Sequence, residues 1–131
     1  MCSAQFQAFR VFLVEDSPIV LERLESMLGT IAGAATIGRA SRADEAIHGI
    51  LDAHPDAVVL DLNLAEGSGF DVLRAVHARA PEIDVYMLTN FSADPYRRLA
   101  VRLGARGFFD KSKEFENVRA ALAARATEKS H

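Results

Sequence analysis

The sequence predicts an α/β domain: a parallel sheet of five strands with helices on both faces. Three observations predict it. Short apolar runs bounded by turn residues recur at 9–14, 57–60 and 84–89, as in strands buried on both faces of a parallel sheet. Between such runs, apolar residues repeat at three- and four-residue steps, one face of a helix each time. The two patterns alternate strand–helix five times over, the order that produces parallel strands joined by crossover helices.

Taken in order, residues 1–8 are polar and mixed and read as a loose lead-in. Residues 9–14 form an aromatic and β-branched strand that ends at Glu15-Asp16. Asp16 or Ser17 caps the first helix, with Pro18 in its first turn. Its apolar face is Val20, Leu21, Leu24, Met27, Leu28 and Ile31, and Gly29 and Gly33 punctuate its end. Residues 35–40 are a weaker second strand, best at Thr36-Ile37. Ser41 is expected to cap the second helix, whose stripe is Ala43, Ala46, Ile47, Ile50 and Leu51. Asp44 and Glu45 fall in its first turn, where the dipole favours them, and His54-Pro55-Asp56 breaks it.

The third strand, 57–60, delivers Asp61 to its end, and a loop with Gly67 and Gly69 follows. Phe70, Leu73, Val76 and His77 mark a third helix stopped by Pro81, and 84–89 is the fourth strand. Asp94-Pro95 starts a fourth helix with Leu99 and Leu103 inward and Gly104 at its end. Residues 106–110, centred on Phe108-Phe109, are a short fifth strand. Phe115, Val118, Ala121 and Leu122 form the last helix, and the polar residues 126–131 are expected to fray. One domain, 9–126, is expected between the lead-in and a C-terminal tail at 127–131; no repeat, low-complexity segment or dividing linker is visible.

Composition narrows the function classes. A chain of 131 residues, half hydrophobic and a quarter charged, can bury one sizeable core. A net charge of −3 argues against non-specific nucleic-acid binding, which needs a basic surface. The lone Cys2 cannot make an internal disulfide, so a reducing cytoplasm is expected. No apolar run is long enough to span a bilayer, and the first ten residues lack a basic region followed by an apolar core, so no signal peptide is expected.

The chemistry gathers at strand ends. The first strand ends in Glu15-Asp16, the third in Asp61, the fourth in Thr89-Asn90 and the fifth in Asp110-Lys111. If the strands are parallel, all of these lie on one edge of the sheet, where ligands and chemistry collect. Singly, each has a plain structural reading: helix cap, turn cap, strand residue, solvated charge. Their coincidence is what points to a site. Carboxylates crowded in one cleft repel one another unless a cation neutralises them. Mg²⁺ suits that role, since it takes carboxylate oxygens and keeps waters that a phosphate oxygen can replace. Lys111 and Thr89 suit an anion held beside it. A carboxylate nucleophile, a metal, a lysine and a hydroxyl are the parts needed to transfer a phosphoryl group to an aspartate.

The joint pattern of Glu15-Asp16, Asp61 eight residues before Gly69, Thr89, and Phe108 three residues before Lys111 resembles the response-regulator receiver domains of bacterial two-component signalling. The resemblance covers nearly the whole chain. It implies a flavodoxin-like (βα)5 fold with strand order 2-1-3-4-5. It implies that Asp61 is the phospho-acceptor and that Glu15, Asp16, Asp61 and the backbone carbonyl of Asn63 hold Mg²⁺. It implies that Thr89 is the switch hydroxyl, that Lys111 pairs with the phosphoryl group, and that Phe108 is the switch aromatic. The phosphoryl group would come from a histidine kinase or histidine phosphotransfer protein. The face from the fourth helix to the fifth, residues 95–125, would control a downstream protein. Such a chain is a regulator rather than an enzyme, with at most self-phosphorylation from small donors and slow autodephosphorylation. It is expected to be a monomer or a phosphorylation-dependent dimer, with no direct nucleic-acid or membrane contact.

The chain departs from the commonest family pattern at four places. Ala65 and Ser112 stand where prolines are frequent, which leaves the stiffness of the acceptor loop and the geometry of the Lys111–Ser112 peptide bond open. Asn90 stands where a small residue is usual, and its bulk is expected to hinder an attacking water and prolong the phosphorylated state. Phe108 lacks the tyrosine hydroxyl. Competing readings are a phosphorylation-independent scaffold of the same fold, a haloacid-dehalogenase-like phosphatase and a flavodoxin-like flavin binder. The phosphatase would need an acid where Asn63 stands. The flavin binder would need a hydroxyl-rich loop where Glu15-Asp16 stand.

Overall fold

The computed structural model describes residues 8–91 and 93–130. Its elements are β1 (Phe9–Val14), α1 (Pro18–Leu28), β2 (Ala34–Ala40), α2 (Ala43–Ala53), β3 (Ala57–Leu60), α3 (Gly69–Arg79), β4 (Asp84–Thr89), α4 (Asp94–Arg102), β5 (Gly107–Asp110) and α5 (Phe115–Ser130). The strands form one sheet in the order β2-β1-β3-β4-β5, and every pairing is parallel. Residues 1–7 of the expected lead-in, Cys2 among them, and His131 of the expected tail lie outside the described residues. No described helix is long and apolar enough to cross a membrane.

Side chains alternate across the sheet and build two apolar layers. Phe9, Val11 and Leu13 of β1 pack with Leu24 and Leu28 of α1 and Val118 and Leu122 of α5. Phe12 and Val14 face the other way, toward Ile50 of α2 and Leu73 and Val76 of α3. The central β3 is buried at every position, which is why it reads as an unbroken apolar run. The second strand is weak in the sequence because it is the edge: half-buried over most of its length, with a register shift opposite Val11 and Phe12. Gly38 leaves room for the Phe12 ring, which a Cβ there would meet at 2.6 Å.

Several local expectations resolve or change. Ser17, rather than Asp16, caps α1, its hydroxyl accepting from the Val20 N–H at 3.4 Å. Ser41 does not cap α2. The cap position is Arg42, with no side-chain bond to the helix. The first helical N–H, that of Ala43, donates instead to the Glu66 carbonyl at 2.8 Å. In α4 the fully buried residue is Ala100, while Leu99 and Leu103 are half-buried. Among the described residues the polar end is helical rather than frayed: α5 continues to Ser130, with Ala126 buried and Lys129 Nζ 2.7 Å from Asp56 Oδ2. Asp56 also accepts the Arg10 N–H at 2.8 Å, so the last turn is tied to the edge of the sheet opposite the candidate site.

Candidate functional site

The sheet's own ladder places the polar residues that end its strands. The Glu15 N–H donates to the Ala40 carbonyl at 2.9 Å, the Asp61 N–H to Val14 at 3.0 Å, and the Lys111 N–H to Thr89 at 2.9 Å. Each is one step past the end of its strand, so parallel register alone brings them to one edge. There one carboxylate oxygen from each of Glu15, Asp16 and Asp61 lies within 4.8 Å of the others. Glu15 and Asp61 are buried and Asp16 is exposed.

Lys111 joins the two buried acids. Its Nζ is 2.9 Å from Glu15 Oε1 and 2.9 Å from Asp61 Oδ2. Glu15 is held further by the Ser17 N–H, which donates to Oε2 at 3.0 Å. Burial pushes the Glu15 carboxyl up, the nearby charge of Asp61 adds to the rise, and together they outweigh the bonds from Lys111 and Ser17. Burial works against the Lys111 ammonium, but its hydrogen bonds to Asp61 and Glu15 win and hold its pKa above the usual value. Asp16 makes no hydrogen bond or ion pair among the described residues. The cleft over these groups measures about 270 Å³, and Asn63, Asn90 and Phe91 also line it. A larger groove of about 500 Å³ between α2 and α3 contains none of these carboxylates.

Of the other sequence candidates, Asn63 is exposed on the cleft wall, its backbone bridged to Ser68. Thr89 is fully buried and its hydroxyl accepts the Phe91 N–H at 3.1 Å, so the wall beside Asp61 is formed by Asn90 and not by Thr89. Phe108 is packed inward with Met87 and Ala100. The described residues hold no cis peptide, so Lys111–Ser112 is trans. Asp110 Oδ1 accepts the Ser112 and Lys113 N–H groups at 2.8 and 3.0 Å, a turn that serves where a proline is absent. Ser112 Oγ reaches Asn90 Oδ1 at 3.4 Å across the mouth of the cleft, joining two of the departures.

Two features were beyond the sequence. Arg97 of α4 lies 4.9 Å over the Phe108 ring and donates to the Phe108 carbonyl at 2.8 Å. Nothing distinguishes it in the sequence from Arg98 or Arg102. The spacing of Gly69 from Asp61 also acquires a cause. A Cβ on Gly69 would run into the Asp61 carbonyl oxygen and come within 2.9 Å of the Leu62 Cα, so α3 starts with its backbone against the end of β3. Gly69→Ala is expected to lower stability by about 2 kcal/mol, as overpacking against unyielding backbone does, and to displace Asp61. Denaturant unfolding and phosphoryl uptake measure the two effects, and a neutral substitution would refute the contact.

A family model described as the response regulator receiver domain matches residues 11–123. The chain is 31% identical over 113 residues to an uncharacterized transcriptional regulatory protein, YvfU, of Bacillus subtilis, covering 86% of this chain and 56% of that protein. It is 33% identical over 112 residues to the DNA-binding transcriptional activator DevR/DosR of Mycobacterium tuberculosis, covering 85% and 52%. The chain thus spans about half the length of these relatives. Among solved structures, a LuxR-family two-component response regulator from Aurantimonas is 27% identical with a TM-score of 0.79, covering 92% of this chain and 89% of that one.

Proposed function

The chain belongs to the response regulator receiver domain family, and we propose that its phospho-accepting residue is Asp61. The observation that supports this reading is a charge balance. Three carboxylates meet one ammonium at the cleft, which leaves two negative charges and only hard oxygen donors around them. That set fits Mg²⁺, with Glu15, Asp16, Asp61 and the Asn63 carbonyl as the residues that would hold it. Bound there, Mg²⁺ would neutralise charge on the incoming phosphoryl group.

The chain's own residues then divide the work. Asp61 Oδ2 is occupied by Lys111, so Oδ1 is the oxygen that bonds to phosphorus as the bond to the donor breaks and the donor keeps its electron pair. Lys111 transfers a hydrogen bond from the carboxylates to a phosphoryl oxygen. Thr89 rotates to donate its own proton to another, and so gives up the Phe91 N–H. Phe91 packs edge-on against Tyr96 of α4 at 6.2 Å, which carries the change to the fourth helix. Phe108 is buried here, and its rotamer is expected to follow the movement of Thr89.

The donor is a histidine kinase or histidine phosphotransfer protein, and the output is a partner met by residues 95–125, in the cytoplasm. Incubation with acetyl phosphate and Mg²⁺ is expected to add the mass of one phosphoryl group, and a chelator is expected to prevent it; uptake unaffected by the chelator would refute the metal's role. Asn90 stands exposed at the cleft, where it obstructs water approaching the acyl phosphate. Asn90→Ala is expected to speed decay of the phosphorylated protein several-fold, and an equal or slower decay would show that Asn90 does not shield it.

A further inference from the structure

The loop that carries Asp61 is closed on itself at its base and pinned elsewhere at its tip. At the base, the Gly69 N–H donates to the Leu62 carbonyl at 2.8 Å and Asn63 bridges Ser68. At the tip, the Ala65 N–H donates to the Ser41 carbonyl at 2.9 Å, and the Glu66 carbonyl accepts the Ala43 N–H at 2.8 Å. Arg42 and Glu66 also form an isolated parallel bridge, outside the main five strands. The Arg42 guanidinium adds an exposed ion pair to the Glu66 carboxylate at 3.0 Å. Gly67, at φ +84, lies so close that a Cβ there would run into that of Ala43.

We infer that the Ser41–Ala43 turn positions the acceptor loop for its metal, and that Ala65 is the residue that permits it. The inference rests on the reading of Asn63 as a carbonyl ligand of Mg²⁺. A proline at 65 would have no N–H to give Ser41. With alanine the bond forms, and the segment on either side of Asn63 is anchored: at Asp61 by the sheet and at Ala65 by the turn before α2. A ligand on a segment ordered in advance loses less conformational freedom when the ion binds. The stiffness that a ring would supply at position 65 comes here from a hydrogen bond to another part of the chain. Ala65 and the Ser41–Ala43 turn are positioning groups, acting on the metal through Asn63.

Proline and glycine at position 65 separate the hydrogen bond from local stiffness with opposite signs. Proline stiffens the backbone but removes the N–H, whereas glycine keeps the N–H and loosens the backbone. Mg²⁺ affinity is measured by calorimetric titration of the wild type, Ala65→Pro and Ala65→Gly, with metal-free denaturant unfolding beside it. Ala65→Pro is expected to weaken Mg²⁺ binding about tenfold, the low end for losing a group that orients a metal ligand. Ala65→Gly is expected to weaken it less. Proline binding as tightly as the wild type, or glycine weaker than proline, would overturn the inference alone. A wild type that binds no Mg²⁺ would overturn the site reading and the inference with it. If Ala65→Pro does not fold, Gly67→Ala tests the same contact by forcing the loop from Ala43; it is expected to weaken Mg²⁺ similarly, and unchanged affinity would overturn the inference.

Discussion

Asp61→Asn is expected to take up no phosphoryl group from acetyl phosphate and Mg²⁺ while keeping its fold. The amide has nearly the shape of the carboxylate, so packing at the end of β3 survives, and the Asp61 N–H bond to Val14 does not involve the side chain. What is lost is the nucleophile and one of the three charges that make the cleft a cation site. The substitution also removes a charge that helps raise the Glu15 carboxyl, so Glu15 is expected to titrate lower in the variant. Mass spectrometry reads the first effect, carboxyl NMR titration the second, and far-UV circular dichroism the fold. Phosphoryl uptake by the variant at wild-type rate, on Asp16 or elsewhere, would remove Asp61 from the role.

Lys111→Met carries the largest expected effect on stability. The ammonium bridges two buried carboxylates, and its side chain is only 12% exposed. Removing one partner of a buried pair leaves uncompensated charge and costs about 3 kcal/mol at neutral pH. The sign of the pH dependence follows from Glu15. Its carboxyl is already raised in the folded protein by burial, and without Lys111 it rises further. A group raised on folding contributes stability below its unfolded value, here 4.5, and loses it as pH climbs through the folded value. The destabilisation is therefore expected to be greatest at neutral pH and to shrink as pH falls toward 4.5.

The wild type has a second limit. The Lys111 pKa is also raised on folding, from 10.5, so its contribution is complete below that pH and is lost as pH rises through the higher folded value. Mg²⁺ is expected to restore part of the variant's stability. Denaturant midpoints measured from pH 4 to 8 with and without Mg²⁺ test this, and a pH-independent loss would mean that Lys111 acts by packing alone.

Most of the architecture was legible because it depends on local pattern. Apolar runs marked the buried strands, three- and four-residue steps marked the helices, and strand–helix alternation implied parallel pairing. Given parallel pairing, the ladder carries Glu15, Asp61, Thr89 and Lys111 to one edge without further information. The failures share a cause. Ser41 looked like a cap because serine caps by a local bond, but a distant carbonyl at Glu66 reached the Ala43 N–H first. The polar end looked frayed because its composition is solvated, but Lys129 meets Asp56 from 73 positions away.

The sequence by itself therefore determined the order of the elements, the sheet edge that carries the chemistry and the residue types gathered there, since each follows from periodicity and chain direction. Only the tertiary structure decided how those residues are held. It set Lys111 between Glu15 and Asp61, buried Thr89 behind Asn90, placed Arg97 over Phe108, and pinned the loop after Asp61 through the N–H of Ala65. The Lys111, Arg97 and Ala65 contacts are interactions whose partners are chosen by proximity in space, and the burial of Thr89 is a matter of packing. Chain separation, 50 residues for Lys111 and Asp61, leaves no periodic trace from which that choice could be read.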